Sequence, residues 1–321
     1  MEVSTRLLYD AAACCTIIST IITLVSFIIN HFFTSTMNND TRQKTDILNQ
    51  IKNLLSHKMI YKVFAFVTII GAVVTLYAYL KADSVVFTVR DVSFKMIRVK
   101  GGTFMMGAAE DDNEAFPYEK PEHEVKLSTY YIGETEVTQE LWKAVMIKNK
   151  NDKMNPSHFH GLKRPVENVS WNDCMEFIEE LNAATGKKFR LPSEAQWEFA
   201  ARGGNNKREF KYSGSNTLGE VAWYEENSGD KTQDVAYNHD PNELGLYDMS
   251  GNVWEWCSDP HWYYYGSTQT NPEGSKSSNN KRVARGGSWF SPAARCRVTS
   301  RYGLEETHRG KNLGLRLVLS E

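Results

Sequence analysis

Gly245-Leu-Tyr-Asp-Met-Ser-Gly-Asn-Val-Trp-Glu-Trp256 is the stretch of this chain that decides its fold. It places three large aromatic rings, two carboxylates and two glycines within twelve residues, without helical or strand periodicity. Regular secondary structure does not require that mixture, whereas a loop held in one conformation by side-chain hydrogen bonds or by a hard cation does. Two later blocks, Arg285-Gly-Gly-Ser-Trp289 and Gly314-Leu-Arg-Leu317, are expected to converge with this loop.

The composition predicts one large domain and a smaller part. A length of 321 residues exceeds the usual size of a single domain. The formal net charge is −2 and no basic face stands out, so nucleic acid is not expected as a partner. Aromatic residues make up 12 % of the chain, which favours a core built from large rings.

Two apolar segments near the N-terminus predict transmembrane helices. Residues 11–33 carry no charged side chain, and the second helix is predicted at about residues 60–80. Both approach the length of about 20 residues that a helix needs to cross a bilayer. A cleavable signal peptide would explain the first segment alone, but the presence of two segments argues for anchoring. Residues 1–83 are therefore interpreted as an anchor integral to the membrane.

Basic side chains predict the orientation of this anchor. The connector between the two segments carries five of them, at Arg42, Lys44, Lys52, Lys58 and Lys62, whereas the N-terminal tail carries Arg6 alone. Because cytoplasmic connectors are enriched in Lys and Arg, the connector is predicted in the cytoplasm. The rest of the chain then lies on the extracytoplasmic side, in a periplasm or a lumen.

After the anchor, residues 84–95 are interpreted as a linker and residues 96–321 as one domain. Strand patterns cover Ile97–Met106, with a break at Gly101-Gly102, and His123–Ile132. Three helices are predicted from N-cap residues, at Thr138, Ser170 and Ser193. Beyond Gly204 the sequence is weakly periodic, which is typical of irregular structure held by specific contacts. The predicted class is α+β with much irregular structure.

Seven blocks in a fixed order resemble the sulfatase-modifying factor family, which contains the formylglycine-generating enzymes. The blocks are Val99-Lys-Gly-Gly-Thr-Phe-Met-Met-Gly107, Glu134-Thr-Glu-Val-Thr138, Pro165-Val-Glu-Asn-Val-Ser-Trp171, Arg190-Leu-Pro-Ser-Glu-Ala-Gln-Trp-Glu198, Gly245 to Trp256, Arg285 to Trp289 and Gly314-Leu-Arg316. The resemblance implies an irregular C-type lectin-like fold, bound calcium and a location outside the cytosol. Enzymes of the family use oxygen and a copper ion to oxidise a sulfatase cysteine to formylglycine.

The resemblance also implies the ligands of one calcium ion. They are the side chains of Asp248 and Glu255 and the carbonyl oxygens of Gly251 and Val253, which suit a hard cation with about six to eight oxygen ligands. The alternative is that Asn252 and the two carboxylates hold the loop through hydrogen bonds without an ion.

The chain departs from the enzymes of the family at the copper centre. There, two cysteines five residues apart follow the Gly-Gly-Ser-aromatic block, and their thiolates suit the soft copper(I) ion. In this chain the two positions are Ser291 and Cys296. A serine hydroxyl is a poor ligand for a soft metal, so copper is not expected, and these two residues remain the candidate catalytic positions.

Cys296 has a second possible role. In relatives the loop that precedes Cys257 lies near the Gly-Gly-Ser block, so the resemblance brings the two cysteines together. Neighbouring exposed thiols oxidise outside the cytosol. A structural disulfide between Cys257 and Cys296 is therefore predicted.

Aromatic residues on both sides of this site predict a ligand groove lined by Trp262, Trp289 and Phe290. Ordinary core and rim packing is the alternative for each ring. Two functions remain open. The first is a membrane-anchored extracytoplasmic domain that binds a protein or a glycan without catalysis. The second is a formylglycine-generating oxidase that acts on a sulfatase cysteine.

Overall fold

The structure is a computed structural model that describes residues 83–147, 155–274 and 280–321, together with five positions between residues 62 and 71. Apart from those five helical positions, both predicted transmembrane segments lie outside the described residues. Within the described part of the chain, no helix combines the length and the apolar character needed to cross a membrane. The chain divides into two units, Met1–Ala82 and Asp83–Glu321, and the fold below is that of the second unit.

The described residues of this unit form strands and short helices in a mixed order. The strands are β1 (Ser84–Val89), β2 (Val92–Val99), β3 (Gly102–Met106), β4 (His123–Leu127), β5 (Tyr130–Gly133), β6 (Phe189–Arg190), β7 (Trp254–Pro260), β8 (Gln269–Thr270), β9 (Lys281–Arg285), β10 (Arg301–Glu305), β11 (Leu313–Leu315) and β12 (Val318–Ser320). The α-helices are α1 (Gln139–Met146), α2 (Trp171–Thr185), α3 (Glu194–Ala201) and α4 (Leu218–Val221). This mixture agrees with the predicted α+β class.

Residues 84–95 form a β-hairpin instead of the predicted linker. β1 pairs antiparallel with β2, from Ser84 opposite Ile97 to Val89 opposite Val92. The two turn residues, Arg90 and Asp91, have φ of 47° and 69°, as the tight turns of hairpins require. Apolar side chains of the hairpin pack against the core, so the loose alternation of this segment is that of a half-buried strand. The domain therefore starts near residue 83.

The helix starts predicted from the sequence are confirmed. The hydroxyl of Thr138 accepts a hydrogen bond from the backbone of α1, and Ser170 forms a capping box at the start of α2. Ser193 forms a second capping box with Gln196 at the start of α3. α2 ends at Gly186, whose φ of 66° is the left-handed conformation that glycine adopts most easily.

Large rings fill the core, as the aromatic content predicts. Trp142 of α1 stacks on Phe177 of α2, with ring centroids 4.7 Å apart. This apolar cluster includes Trp254 and Trp256 of β7, while Cys257, the next residue, belongs to a second cluster around Trp197 of α3. β7 therefore connects the two clusters.

A four-stranded sheet brings the three conspicuous sequence blocks together. Its strand order is β10-β9-β7-β11. In this sheet Glu255 lies opposite Arg285 of the antiparallel strand β9 and opposite Gly314 of the parallel strand β11. The predicted convergence of these blocks is therefore confirmed, and it places the loop before β7 at the centre of the candidate site.

Candidate functional site

The loop that precedes β7 is held by its own backbone. Asp248, Gly251 and Asn252 have positive φ values of 57°, 85° and 53°. A Cβ atom at Gly251 would collide with the carbonyl oxygen of Trp223, so only glycine fits there. The backbone of Asn252 accepts a hydrogen bond of 2.8 Å from the backbone N–H of Trp289, and Gly251 donates one of the same length to Gly286. These bonds join the loop to the Gly-Gly-Ser block.

Glu255 forms a fully buried ion pair at the end of this loop. Its Oε1 accepts hydrogen bonds from Nε and Nη2 of Arg316, at 3.0 and 2.7 Å. Its Oε2 accepts one from the same Nε at 3.0 Å and one from the indole N–H of Trp197 at 2.7 Å. A carboxylate offers about four lone pairs, and all of them are engaged here. Glu255 therefore does not fit the predicted role of a calcium ligand.

Asp248 is also buried, but its carboxylate is only half satisfied. One oxygen, Oδ2, accepts a hydrogen bond of 2.7 Å from the backbone of Ala236. The other, Oδ1, has no hydrogen-bond partner among the residues that the structure describes. Burial raises the pKa of Asp248 to about 6. A cation would satisfy the remaining oxygen, so Asp248 fits a calcium ligand while Gly251 and Val253 stay predictions.

Glu136 belongs to the same buried cluster and was missed by reasoning from the sequence. Both of its carboxylate oxygens are buried and accept no hydrogen bond from the described part of the chain. Burial first, and then the neighbouring Asp248, raise its pKa well above the ordinary value. The only signal in the sequence is that Glu136 lies inside the Glu134–Thr138 block. Over residues 83–147, 155–274 and 280–321, no three His, Cys, Asp or Glu side chains converge as a metal-binding group.

A second charged cluster lies under the Gly-Gly-Ser block and is internally neutralised. Arg285 pairs with both Glu194 and Glu198, and Arg301 pairs with Glu194 at 2.7 Å. Burial opposes ionisation of the two glutamates, but the nearby arginines outweigh it and hold the pKa of both below its ordinary value. Since these charges are paired and inaccessible, the cluster supports the scaffold and offers no reactive group.

Ser291 and Cys296, the candidate catalytic positions, are both buried. The Ser291 hydroxyl lies 3.0 Å from the hydroxyl of Ser288, to which it is hydrogen-bonded. Cys296 is 0 % exposed, and burial raises the pKa of its thiol to about 12. A Cβ atom added to Gly287 would lie 2.7 Å from its sulfur, so the Gly-Gly turn covers the thiol closely. A single covered thiol, with a serine at the position of the other thiol, does not supply the thiolate pair that suits copper(I).

The predicted disulfide between Cys257 and Cys296 is not formed. Both residues are buried free thiols, as is Cys174. Cys257 packs into the cluster around Trp197, whereas Cys296 packs with Tyr212, Leu218, Val221 and Ala222. The two side chains are directed into different apolar clusters, so the contact between the loop before β7 and the Gly-Gly-Ser block does not bring the sulfur atoms together.

The predicted groove of Trp262, Trp289 and Phe290 is corrected at one position. Trp289 is only 2 % exposed, because its indole N–H donates to the carbonyl of Lys311 and its ring packs edge-on against Phe159. Phe290 is 59 % exposed and Trp262 is 41 % exposed. Trp289 is therefore a core residue, and the other two rings remain available at the surface.

Further rings form a surface that we call the aromatic patch, which consists of Phe116, Tyr118, His261, Trp262 and Tyr302 around Arg295. The Arg295 guanidinium lies 3.9 Å from the ring centre of Phe116 and 5.7 Å from that of Tyr302. It also donates a hydrogen bond of 2.7 Å to the hydroxyl of Tyr118, whose ring contacts His261. Trp262 follows His261 directly in the chain, and its exposed ring packs on Tyr263.

Glu167 is another buried carboxyl group, and it is linked through Phe159 to Trp289 of the Gly-Gly-Ser block. One oxygen accepts a hydrogen bond of 2.8 Å from the backbone of Phe159, which packs on Trp289. The other oxygen has no partner within the described residues. Burial raises the pKa of Glu167 from 4.5 to about 7.

Replacement of Glu167 by Gln should therefore stabilise the protein in a pH-dependent way. The unfolded wild type ionises near pH 4.5 and the folded wild type only near pH 7, so the wild type loses stability between these values. The Gln variant has no such loss. We expect the unfolding free energy of Glu167→Gln to exceed that of the wild type by an amount that grows between pH 4.5 and pH 7 and stays constant above pH 7. Urea denaturation at several pH values measures it, and a gap independent of pH would contradict this expectation.

Residues 86–321 match the model of the family described as the sulfatase-modifying factor enzyme 1-like domain. The chain belongs to this family. The resemblance drawn from the seven blocks is thus confirmed, and the match extends over the β1–β2 hairpin.

Proteins with several different names are similar to this chain. The chaperone protein LppX of Paenibacillus barcinonensis is 32 % identical over 72 % of this chain and 91 % of its own length. A formylglycine-generating enzyme of Streptomyces coelicolor is 28 % identical over 68 % of this chain and 87 % of its own length. The structure of Treponema denticola variable protein 1 covers 75 % of this chain and 100 % of its own, with 34 % identity and a TM-score of 0.68.

Proposed function

We propose that this chain is a membrane-anchored, extracytoplasmic member of the family that binds another protein and does not generate formylglycine. The observation that carries the proposal is that Ser291 occupies the position of the first family cysteine while Cys296 is buried under the Gly-Gly turn. The two apolar segments at about residues 11–33 and 60–80 would supply the anchor.

The chemistry of the thiol supports the absence of oxidase activity. Copper(I) binding and nucleophilic attack both use the thiolate and not the thiol. Burial raises the pKa of Cys296 to about 12, so without a bound metal ion its thiol stays protonated near neutral pH. Ser291 cannot compensate, since its hydroxyl is held by Ser288 and remains protonated near neutral pH.

The aromatic patch supports a binding role. Protein interfaces are enriched in Tyr, Trp, Phe and Arg, and Arg295 lies against one Phe ring and two Tyr side chains. The rigid rings lose little conformational entropy on binding. Similarity to a protein named a chaperone, LppX, is consistent with a partner that is a protein. We also propose that calcium is bound as a structural ion beside the loop before β7.

The alternative is a formylglycine-generating oxidase, which similarity to the Streptomyces coelicolor enzyme favours. Co-expression of the full chain with a peptide that carries the Cys-x-Pro-x-Arg sequence decides between them. We expect no aldehyde by mass spectrometry, with or without added copper, while the Streptomyces enzyme converts the peptide in parallel. Copper-dependent conversion that is lost in Cys296→Ala would overturn the proposal.

A further inference from the structure

Three buried oxygen atoms near the centre of the fold lack hydrogen-bond donors among the described residues. They are both carboxylate oxygens of Glu136 and the Oδ1 atom of Asp248. Both side chains are more than nine-tenths buried. Buried polar atoms without a partner are rare in folded proteins, and each points to strain or to a water or ion that completes the site.

Arg316 acts electrostatically on both carboxyl groups, but its N–H groups donate to other acceptors. Nε and Nη2 bind Glu255, Nη2 also donates to the carbonyl of Tyr247, and Nη1 donates to that of Gly133. This engages four of the five N–H groups of the guanidinium. Glu255 therefore neutralises Arg316, and an ionised Glu136 or Asp248 would have no hydrogen-bonded cation among the described residues.

The two carboxyl groups come from distant parts of the chain, and the charge of Asp248 acts on Glu136. Glu136 lies between β5 and α1, and Asp248 lies in the loop before β7. The two segments are joined by a hydrogen bond of 3.0 Å from the backbone N–H of Tyr247 to the carbonyl of Glu134. Two ionised carboxylates in this position are strongly unfavourable unless a cation joins them.

Building on the calcium ion proposed above, we infer that Glu136 and Asp248 are its two carboxylate ligands, and that Glu255 positions Arg316 instead of binding the ion. Calcium accepts oxygen ligands in flexible geometry and takes backbone carbonyls and water besides carboxylates. A calcium site can therefore consist of two carboxylates together with backbone carbonyl oxygens and water molecules. It does not require three acidic side chains at one place. The ion would join the segment before α1 to the loop before β7.

The test uses the full-length chain, stripped of metal with a chelator and titrated with calcium alone by calorimetry. We expect the wild type to bind calcium and its melting temperature to rise with calcium. Glu136→Gln should weaken calcium binding at least 10-fold and abolish the rise. Glu167→Gln is the matched control, because it alters another fully buried carboxyl group with one unpartnered oxygen, outside this cluster. It should bind calcium like the wild type.

Stability in the chelator separates a ligand from a structural residue. Glu136→Gln keeps the size of the side chain and removes a carboxyl group whose ionisation is opposed by burial, so without calcium it should melt at or above the wild-type temperature. Glu255→Gln should have a lower melting temperature than the wild type both with and without calcium. Its melting temperature should still rise when calcium is added. Wild-type affinity in Glu136→Gln, or a wild type that does not respond to calcium, would overturn the inference. The formylglycine assay is independent of either result.

Discussion

Replacement of Arg316 by Met is expected to destabilise the domain by about 3–5 kcal/mol, the cost of removing one partner of a buried ion pair. Methionine fills most of the space of the arginine side chain, so a cavity is not the main cause. The loss arises because Glu255 is fully buried and would keep a single N–H donor, that of Trp197. Two carbonyl oxygens, of Gly133 and Tyr247, would also lose their donor. Urea denaturation followed by tryptophan fluorescence measures the change.

The matched control is Arg98→Met. Arg98 pairs with Glu321 at 2.6 Å, but Glu321 is exposed to solvent. Exposed pairs contribute about 0–1 kcal/mol, because water screens both charges. If both variants lost the same unfolding free energy, the pair of Arg316 with Glu255 would contribute no more than an exposed ion pair.

Local features of the fold were predictable because they depend on neighbouring residues. The side chains of Ser193 and Gln196 each accept a hydrogen bond from the backbone N–H of the other residue, within one turn of helix. Because the two residues are only three positions apart, the sequence alone reveals the pair. The β1–β2 hairpin was mistaken for a linker because its turn, Arg90-Asp91, lacks the glycine that usually marks such turns. The burial of its apolar residues depends on Phe189, about a hundred residues later, whose ring contacts both Phe87 and Phe94.

The pairing of charges within the site was not predictable from spacing. The family resemblance identified Asp248 and Glu255 as alike, two carboxylates of one loop. The fold gives them different partners. The parallel pairing of β7 with β11 brings Arg316 to Glu255 from 61 positions away. Asp248 accepts a hydrogen bond only from a backbone N–H. Glu136 carries no local pattern that distinguishes it from Glu134, which pairs with Lys95 near the surface. Only the packed structure shows which carboxylate lacks a partner.

The thiols illustrate the same limit. The replacement of a family cysteine by Ser291 is visible in the sequence, and it already argued against copper. The burial of Cys296 under the Gly286-Gly287 turn is a property of the packed chain, since α4 and Tyr212 close the other side of the sulfur. This burial also explains why Cys296 and Cys257 are not joined.

Trp197 links the apolar core to the buried charges, so its replacement should have the second large effect. The ring is fully buried in the cluster around α3, its N–H donates to Glu255, and Arg285 lies 5.3 Å from its centre. Trp197→Ala should destabilise the domain by about 3–5 kcal/mol through lost packing and the cavity left behind. Trp197→Phe keeps an aromatic ring and removes the N–H. It should cost about 1–3 kcal/mol, the penalty for an unsatisfied buried acceptor.

Trp262→Ala is the control for these variants, since it removes the same side chain from an exposed position. The side chain of Trp262 contacts Tyr263 at the surface, and the contact of Trp262 with Arg301 uses the backbone carbonyl, which the substitution keeps. Its loss of unfolding free energy should be within about 0.5 kcal/mol, as for surface substitutions in general. Urea denaturation of all three variants should rank Trp197→Ala as the least stable, then Trp197→Phe, with Trp262→Ala the most stable. If Trp197→Phe matched the wild type, the indole N–H would contribute nothing, and Glu255 would be held by Arg316 alone.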